Sequence, residues 1–324
     1  MKMVQFTEYG GPDVLEVKEV ERPSPSGRHV LIEAEAIGVN YADTARREGR
    51  YVVPTPLPFV PGTEVAGVVR EVGPDVQAIR PGQRVVALVE SGGYAEFVAV
   101  DERAVVPLPD GMDVQQAAAL PVQGLSAYHI LKTMSRLEDG ETVLVHAAAG
   151  GVGTLAVQLA KRFGAKTVIA TASTEEKREL ARRLGADVTI DYTQNDWTKA
   201  VMEATDGRGV DVALEMVGGG IFHQTLDCLA PFGRLVVYGM ASGEMTRLNP
   251  ARLMAKNWSV VGFFLPQIMR KRALYEQSLR ELLHWVQEGS LELIIGGVYP
   301  LEQAAMVHEL LQGRKTSGKL LLVP

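Results

Sequence analysis

Gly151, Gly153 and Ala156 stand at the spacing G-x-G-x-x-A, directly after the apolar run Glu141–Ala147 and at the opening of a helical stretch. That order of strand, glycine loop and helix is the one that binds the pyrophosphate of a dinucleotide. Glycine permits the tight turn and lets backbone come close to an anion, and a small third residue lets the helix lie against the strand. The N–H groups of the first helical turn, with the positive end of the helix dipole, then face the phosphates. Gly150, Gly151, Val152 and Gly153 are the candidate contacts.

The end of the next strand chooses between dinucleotides. A carboxylate about 20 residues on would hold a free ribose 2′-hydroxyl. The stretch Ala170-Thr171-Ala172-Ser173-Thr174 has no acid. Ser173 offers a hydroxyl and Lys177 a cation in the first turn of the following helix, which suits a 2′-phosphate and predicts NADPH. Glu175 and Glu176 beside them count the other way.

These residues need a scaffold, and the sequence supplies one. From Glu141 onward short β runs (Glu141–Ala147, Lys166–Thr171, Val188–Asp191, Val210–Met216, Arg234–Gly239, Ser259–Phe264) alternate with helical stretches (Val152–Phe163, Glu175–Leu184, Trp197–Thr205, Ile221–Leu229). Six strands with intervening helices predict an α/β unit with a doubly wound parallel sheet. Before residue 114 the pattern is β-rich with little helix: Val14–Val20, His29–Val39, Glu64–Val72, then Gln83–Val89 and Tyr94–Val100 joined by Ser91-Gly92-Gly93. Pro54, Pro56, Pro58 and Pro61 force an extended loop. A helix at Ala273–Glu288 and an apolar terminal run, Gly318–Val323, complete the chain, the latter as a strand rejoining the N-terminal unit. At 324 residues two domains are expected.

Composition excludes several roles. Thirty-three basic against thirty-nine acidic residues give a net charge of −6, so nothing draws the chain as a whole to nucleic acid or anionic lipid. No apolar stretch is long enough to span a bilayer, and the start lacks the pattern of a signal peptide. Cys228 is the sole cysteine, which rules out an intrachain disulfide and predicts a reducing, cytoplasmic setting. No C-x-x-C or H-x-x-x-H pair occurs, so no metal site is expected. Hydride delivered to an already electrophilic acceptor is then easier to support than oxidation of an unactivated alcohol.

Gly140-Glu141, Leu144, Ala148-Ala149-Gly150-Gly151-Val152-Gly153, Gln158 and Lys161 together resemble the signature of the zinc-free quinone oxidoreductases of the medium-chain dehydrogenase/reductase superfamily. The likeness extends through Gly11-Pro12, Gly38-Val39-Asn40-Tyr41-Ala42-Asp43, Pro61-Gly62-Thr63-Glu64, Gly124-Leu125-Ser126-Ala127-Tyr128 and Gly318-Lys319. Zinc-dependent relatives carry Cys at the position of Asn40 and His at that of Thr63, along with a four-cysteine lobe absent here.

The resemblance implies a GroES-like β-rich domain over 1–122 with 266–324, and a Rossmann domain with a six-stranded parallel sheet over 123–265. It implies NADPH in a cleft between them. Lys177, Tyr192 and Ser173 would meet the 2′-phosphate, and Gly239, Phe263 and Phe264 the nicotinamide end, with Lys319 also among the cofactor contacts. It implies a homodimer through the sheet edge near Trp258–Leu265. The expected reaction is hydride transfer from NADPH to a quinone. The alternatives are reduction of an enone or 2-alkenal (or an enoyl-type acceptor), and an NADPH-binding structural or regulatory protein with little turnover. Charge builds on an acceptor oxygen in either reduction, and the candidate donors are Asn40, Tyr51, Tyr41 and Thr63.

Overall fold

The computed structural model describes residues 1–324, which divide into two compact units, 1–122 with 279–324 and 123–278. The return to the first unit, expected at 266, is met at 279. The second unit keeps residues 266–278 through contacts such as the 3.0 Å pairing of Ser278 Oγ with His129 Nε2. No helix is long and apolar enough to cross a membrane.

In the first unit a two-stranded ribbon of β1 (Lys2–Gln5) and β2 (Glu16–Glu19) accompanies a seven-stranded sheet. That sheet comprises β3 (His29–Val39), β4 (Glu64–Val72), β5 (Arg84–Leu88), β6 (Phe97–Asp101), β7 (Val105–Pro107), β14 (Ile295–Pro300) and β15 (Lys319–Val323). β3 and β4 alternate Val and Ile with small residues, and Val30, Ile32, Ile37, Val65 and Val69 point into one core. The terminal run does rejoin this unit: β15 pairs antiparallel with β3, Leu320 opposite Val39. β5 and β6 are joined through the Gly92-Gly93 turn but do not pair with each other. β5 lies between β4 and β7, and β6 pairs with β3. The helices are α1 (Tyr41–Arg47), α2 (Val114–Ala119) and α11 (Ala304–Gln312). α1 falls where the sequence suggested little helix; seven residues are too few to display an apolar period. Two further helices, α3 (Pro121–His129) and α10 (Arg272–Gln287), run across the unit boundaries.

The second unit holds six parallel strands: β8 (Thr142–Val145), β9 (Thr167–Ala172), β10 (Val188–Asp191), β11 (Val210–Glu215), β12 (Leu229–Val237) and β13 (Ser259–Gly262). Helices α4 (Gly151–Arg162), α5 (Glu175–Arg183), α6 (Trp197–Glu203) and α7 (Gly219–Asp227) alternate with them, followed by the short α8 (Ala251–Met254) and α9 (Leu265–Met269). The spatial order β10-β9-β8-β11-β12-β13 reverses direction beside β8. This is the doubly wound Rossmann arrangement, and its switch point is where such sheets bind ligands.

Candidate functional site

Because the six strands run parallel, the residues that follow their carboxyl ends share one edge of the sheet. Gly150–Gly153 follow β8, Ser173 and Lys177 follow β9, Tyr192 follows β10, Gly239 follows β12, and Phe263 and Phe264 follow β13. Ten of the eleven expected cofactor contacts are thus gathered by topology alone.

The glycine loop is built by close packing. Gly150 is the N-cap of α4, extended at φ −78° and ψ 173°. A β-carbon on Gly153 would overlap Ala147 O and come within 2.7 Å of Ala148 Cα, so this glycine lets α4 start tight against the strand. A β-carbon on Gly151 would fall on the Gln123 amide, a flexible end that can yield. The first three N–H groups of this twelve-residue helix have no partner within it and face the loop.

At the far end of the site the acids beside Ser173 are accounted for. Glu175 is paired by Arg178 at 2.9 Å and by Arg182. Asp191 is paired by Arg178 at 3.0 Å, and Arg178 also donates to Ala172 O at 3.3 Å. Glu176 sits in the first turn of α5, where backbone and Thr174 hydrogen bonds hold its carboxyl below the usual range. Two of these carboxylates are paired and the third serves the helix start; Ser173, the Thr174 N-cap and Lys177 follow β9 on the same edge. Tyr192 packs half-buried against the unit's core. A dinucleotide with a 2′-phosphate fits this edge. Sequence reasoning missed Arg178, which looked like one charge among many. It also missed Glu215, which ends β11 fully buried and accepts from Val217 N at 2.7 Å and Gly218 N at 3.0 Å. Burial pushes its carboxyl up.

Lys319, the eleventh, opens β15 of the first unit. Its ammonium is buried, donating to Asn40 Oδ1 at 2.7 Å and pairing with Glu64. Glu64, fully buried, also accepts from Asn40 Nδ2 at 2.9 Å and from Val122 N at 2.7 Å. Gly38 makes room for it, since a β-carbon there would come within 2.6 Å of the Glu64 carboxyl carbon. The second proton of Asn40 Nδ2 points to Thr63 Oγ1 at 3.3 Å. Asn40 is 5% exposed and its amide is fully engaged, accepting from Lys319 and donating to both Glu64 and Thr63. Thr63 is half-buried, and its hydroxyl, accepting from Asn40, keeps its own proton to donate onward.

The two tyrosines are placed differently. Tyr41 is the exposed first residue of α1. Tyr51, half-buried in the loop after α1, lies under the Arg46 guanidinium at 4.2 Å, with Phe59 on the same cation at 5.2 Å. Burial raises the Tyr51 phenol, which stays neutral at physiological pH. The donors to Glu64 escape a sequence reading, because Asn40, Val122 and Lys319 lie 24, 58 and 255 residues from it along the chain.

The profile described as zinc-binding dehydrogenase matches residues 151–288, and that of the alcohol dehydrogenase GroES-like domain matches residues 26–110. A quinone oxidoreductase of Pseudomonas aeruginosa is 39% identical, over 100% of this chain and 99% of that one. A 2-haloacrylate reductase of a Burkholderia species is 36% identical over 97% of this chain and 96% of its own length. The crystal structure of Escherichia coli quinone oxidoreductase complexed with NADPH superposes with a TM-score of 0.94, at 34% identity over the whole of both chains.

Proposed function

Since the chain belongs to the zinc-free quinone oxidoreductases of the medium-chain dehydrogenase/reductase family, we propose that it reduces a quinone with NADPH. When bound, NADPH supplies the hydride. The sheet edge of the second unit holds it: α4 takes the pyrophosphate, and Ser173, Lys177 and Tyr192 take the 2′-phosphate. Gly239, Phe263 and Phe264 stand at the nicotinamide end.

A quinone that accepts a hydride gathers negative charge on oxygen and needs one proton to become a hydroquinone. The observation that carries the reading is the chain Lys319–Asn40–Thr63, a buried cation acting through an amide on a half-exposed hydroxyl. A donor polarised in this way stabilises an oxyanion more than an unassisted hydroxyl does. Thr63 is therefore the terminal donor, Asn40 its polariser, and Tyr51 a second, neutral hydroxyl. Tyr41 is left with a lining role.

An α,β-unsaturated carbonyl makes the same demand, and the 2-haloacrylate reductase relative favours it as a second reading. A homodimer and a cytoplasmic location belong to the same proposal. The edge strand β13 has β12 as its single neighbour, Phe232 of β12 and Met254 of α8 are exposed, and Cys228 is a lone buried thiol.

The test is NADPH consumption by chelator-treated protein with 1,4-benzoquinone or with a 2-alkenal. Quinone-dependent turnover is expected. Preference for the alkenal would move the acceptor to an enone. Silence with both, despite NADPH binding, would favour the structural or regulatory role.

A further inference from the structure

Beneath Asn40 the first unit buries a second set of polar groups that hydride transfer does not use directly. Asp43, Arg47, Tyr94 and His308 are all 0% exposed. Arg47 Nη1 lies 3.2 Å from His308 Nδ1, His308 Nε2 lies 3.0 Å from Tyr94 Oη, and Tyr94 Oη lies 3.4 Å from Asp43 Oδ2. Asp43 Oδ2 also accepts from Asn40 N at 2.9 Å, and Oδ1 accepts from Gly62 N at 3.2 Å.

The direction of this chain follows from chemistry. A guanidinium only donates, so His308 Nδ1 accepts and the ring carries its proton on Nε2. That proton goes to Tyr94 Oη, and the single hydroxyl proton of Tyr94 is left for Asp43. Arg47 is itself held by Gly10 O at 3.0 Å, Glu48 at 3.0 Å and Gln312 at 2.9 Å. Asp43 thereby ties the backbone N–H of Asn40 to that of Gly62, the residue before Thr63.

We propose that Tyr94 and His308 are positioning residues: they aim a hydroxyl at Asp43, whose carboxylate holds Asn40 and Thr63 in register for the acceptor. The inference rests on the reading of Asn40 and Thr63 as the acceptor site. It predicts a pH signature. Burial pushes Asp43 up to about 6, against the Asn40 and Gly62 N–H groups and Lys319 of β15, which lower it, and Glu64 of β4, which raises it. Tyr94 and Arg47 complete its surroundings. His308, on α11, is held near 3 by burial and the Arg47 charge and remains neutral throughout. Three donors converge on the carboxylate. Protonation takes an acceptor away from these donors; the Tyr94 hydroxyl can turn to accept but the Asn40 and Gly62 N–H groups cannot, so the register loosens as pH falls through about 6.

The experiment is the pH profile of single-turnover NADPH oxidation by 1,4-benzoquinone in the intact protein, with Tyr94→Phe, His308→Leu and His308→Gln. Tyr94→Phe is near-isosteric and removes one donor to the charged form, so the acid limb should move upward by roughly 0.5–1 pH unit, with NADPH affinity unchanged. His308→Leu should shift it likewise. His308→Gln, whose amide can accept from Arg47 and donate to Tyr94, should restore it. An unmoved limb in soluble Tyr94→Phe, or Gln no better than Leu, would overturn the proposal. Nitrogen-15 shifts of the His308 ring provide a reading independent of turnover: protonation on Nε2 is expected, and on Nδ1 would refute the chain. If Thr63→Val leaves hydride transfer untouched, the acceptor-site reading fails, whatever the tautomer.

Discussion

The two units arrive at function by different physics. In the second unit the binding edge is made of backbone: parallel strands, helix starts and a glycine that must have no β-carbon. In the first it is made of buried charge, with Lys319, Glu64, Asp43 and Arg47 withdrawn from water and satisfied by one another and by Asn40, Tyr94 and His308. A backbone site tolerates change wherever a side chain points away from it. A buried polar site does not, because removing one partner strands another in a medium that cannot solvate it.

The sharpest break in that comparison is Lys319→Met, which leaves Glu64 buried without its cation. A loss of roughly 3–5 kcal/mol is expected in urea unfolding, with Glu64→Gln added to the same chain recovering much of it. Equal losses in single and double variants would show that packing, rather than charge, is at stake.

Next is pH. Asp43 ionises near the usual 3.8 when unfolded and at about 6 when folded, so the folded state binds the proton more tightly. Its contribution to stability is therefore present at low pH and is lost as pH rises from about 4 to about 6. Relative to Asp43→Asn, the protein should lose roughly 1–3 kcal/mol across that window. A flat difference would mean that Asp43 is better solvated than its burial suggests. The carboxylate needed for register is thus the less stable form, a local cost borne for function.

In the second unit Gly153→Ala should weaken NADPH binding through the overlap with Ala147 O and the approach to Ala148 Cα, by roughly 1–3 kcal/mol in a fluorescence titration. Gln123→Ala, which empties the space over Gly151, should cost less. The reverse order would place the strain on the wrong glycine.

The smallest effect is expected at Lys177→Glu: about tenfold weaker NADPH binding, with NADH nearly unaffected. Equal losses for both would remove Lys177 from the 2′-phosphate site.

The same contrast explains what could be read in the sequence. β3 and β4 show their bounds through Val-rich runs closed by turn residues, and the loop after β8 shows its chemistry through a spacing of five residues. These are local signals. Lys319 and Asn40 stand 279 residues apart, Arg47 and His308 261 apart, and no local pattern joins them. In the sequence Lys319 stands only beside Gly318, and Asp43 only within Gly38–Asp43, with nothing local to show what either meets. Gly38 is instructive: its place in Gly38-Val39-Asn40 carried a family likeness, but its reason, space for the Glu64 side chain, needed the packed sheet. Helix α1 was hidden for another reason, since two turns cannot establish a period.

On the proposed reading a buried cation, acting through Asn40, makes the Thr63 hydroxyl the hydrogen-bond donor to the acceptor oxygen as hydride is transferred. Thr63→Val keeps shape and removes the hydroxyl, so the most direct measurement is its single-turnover rate of NADPH oxidation by 1,4-benzoquinone beside its NADPH Kd. A rate slower by roughly tenfold or more at unchanged Kd is expected. An unchanged rate, or a loss confined to Kd, would contradict that reading.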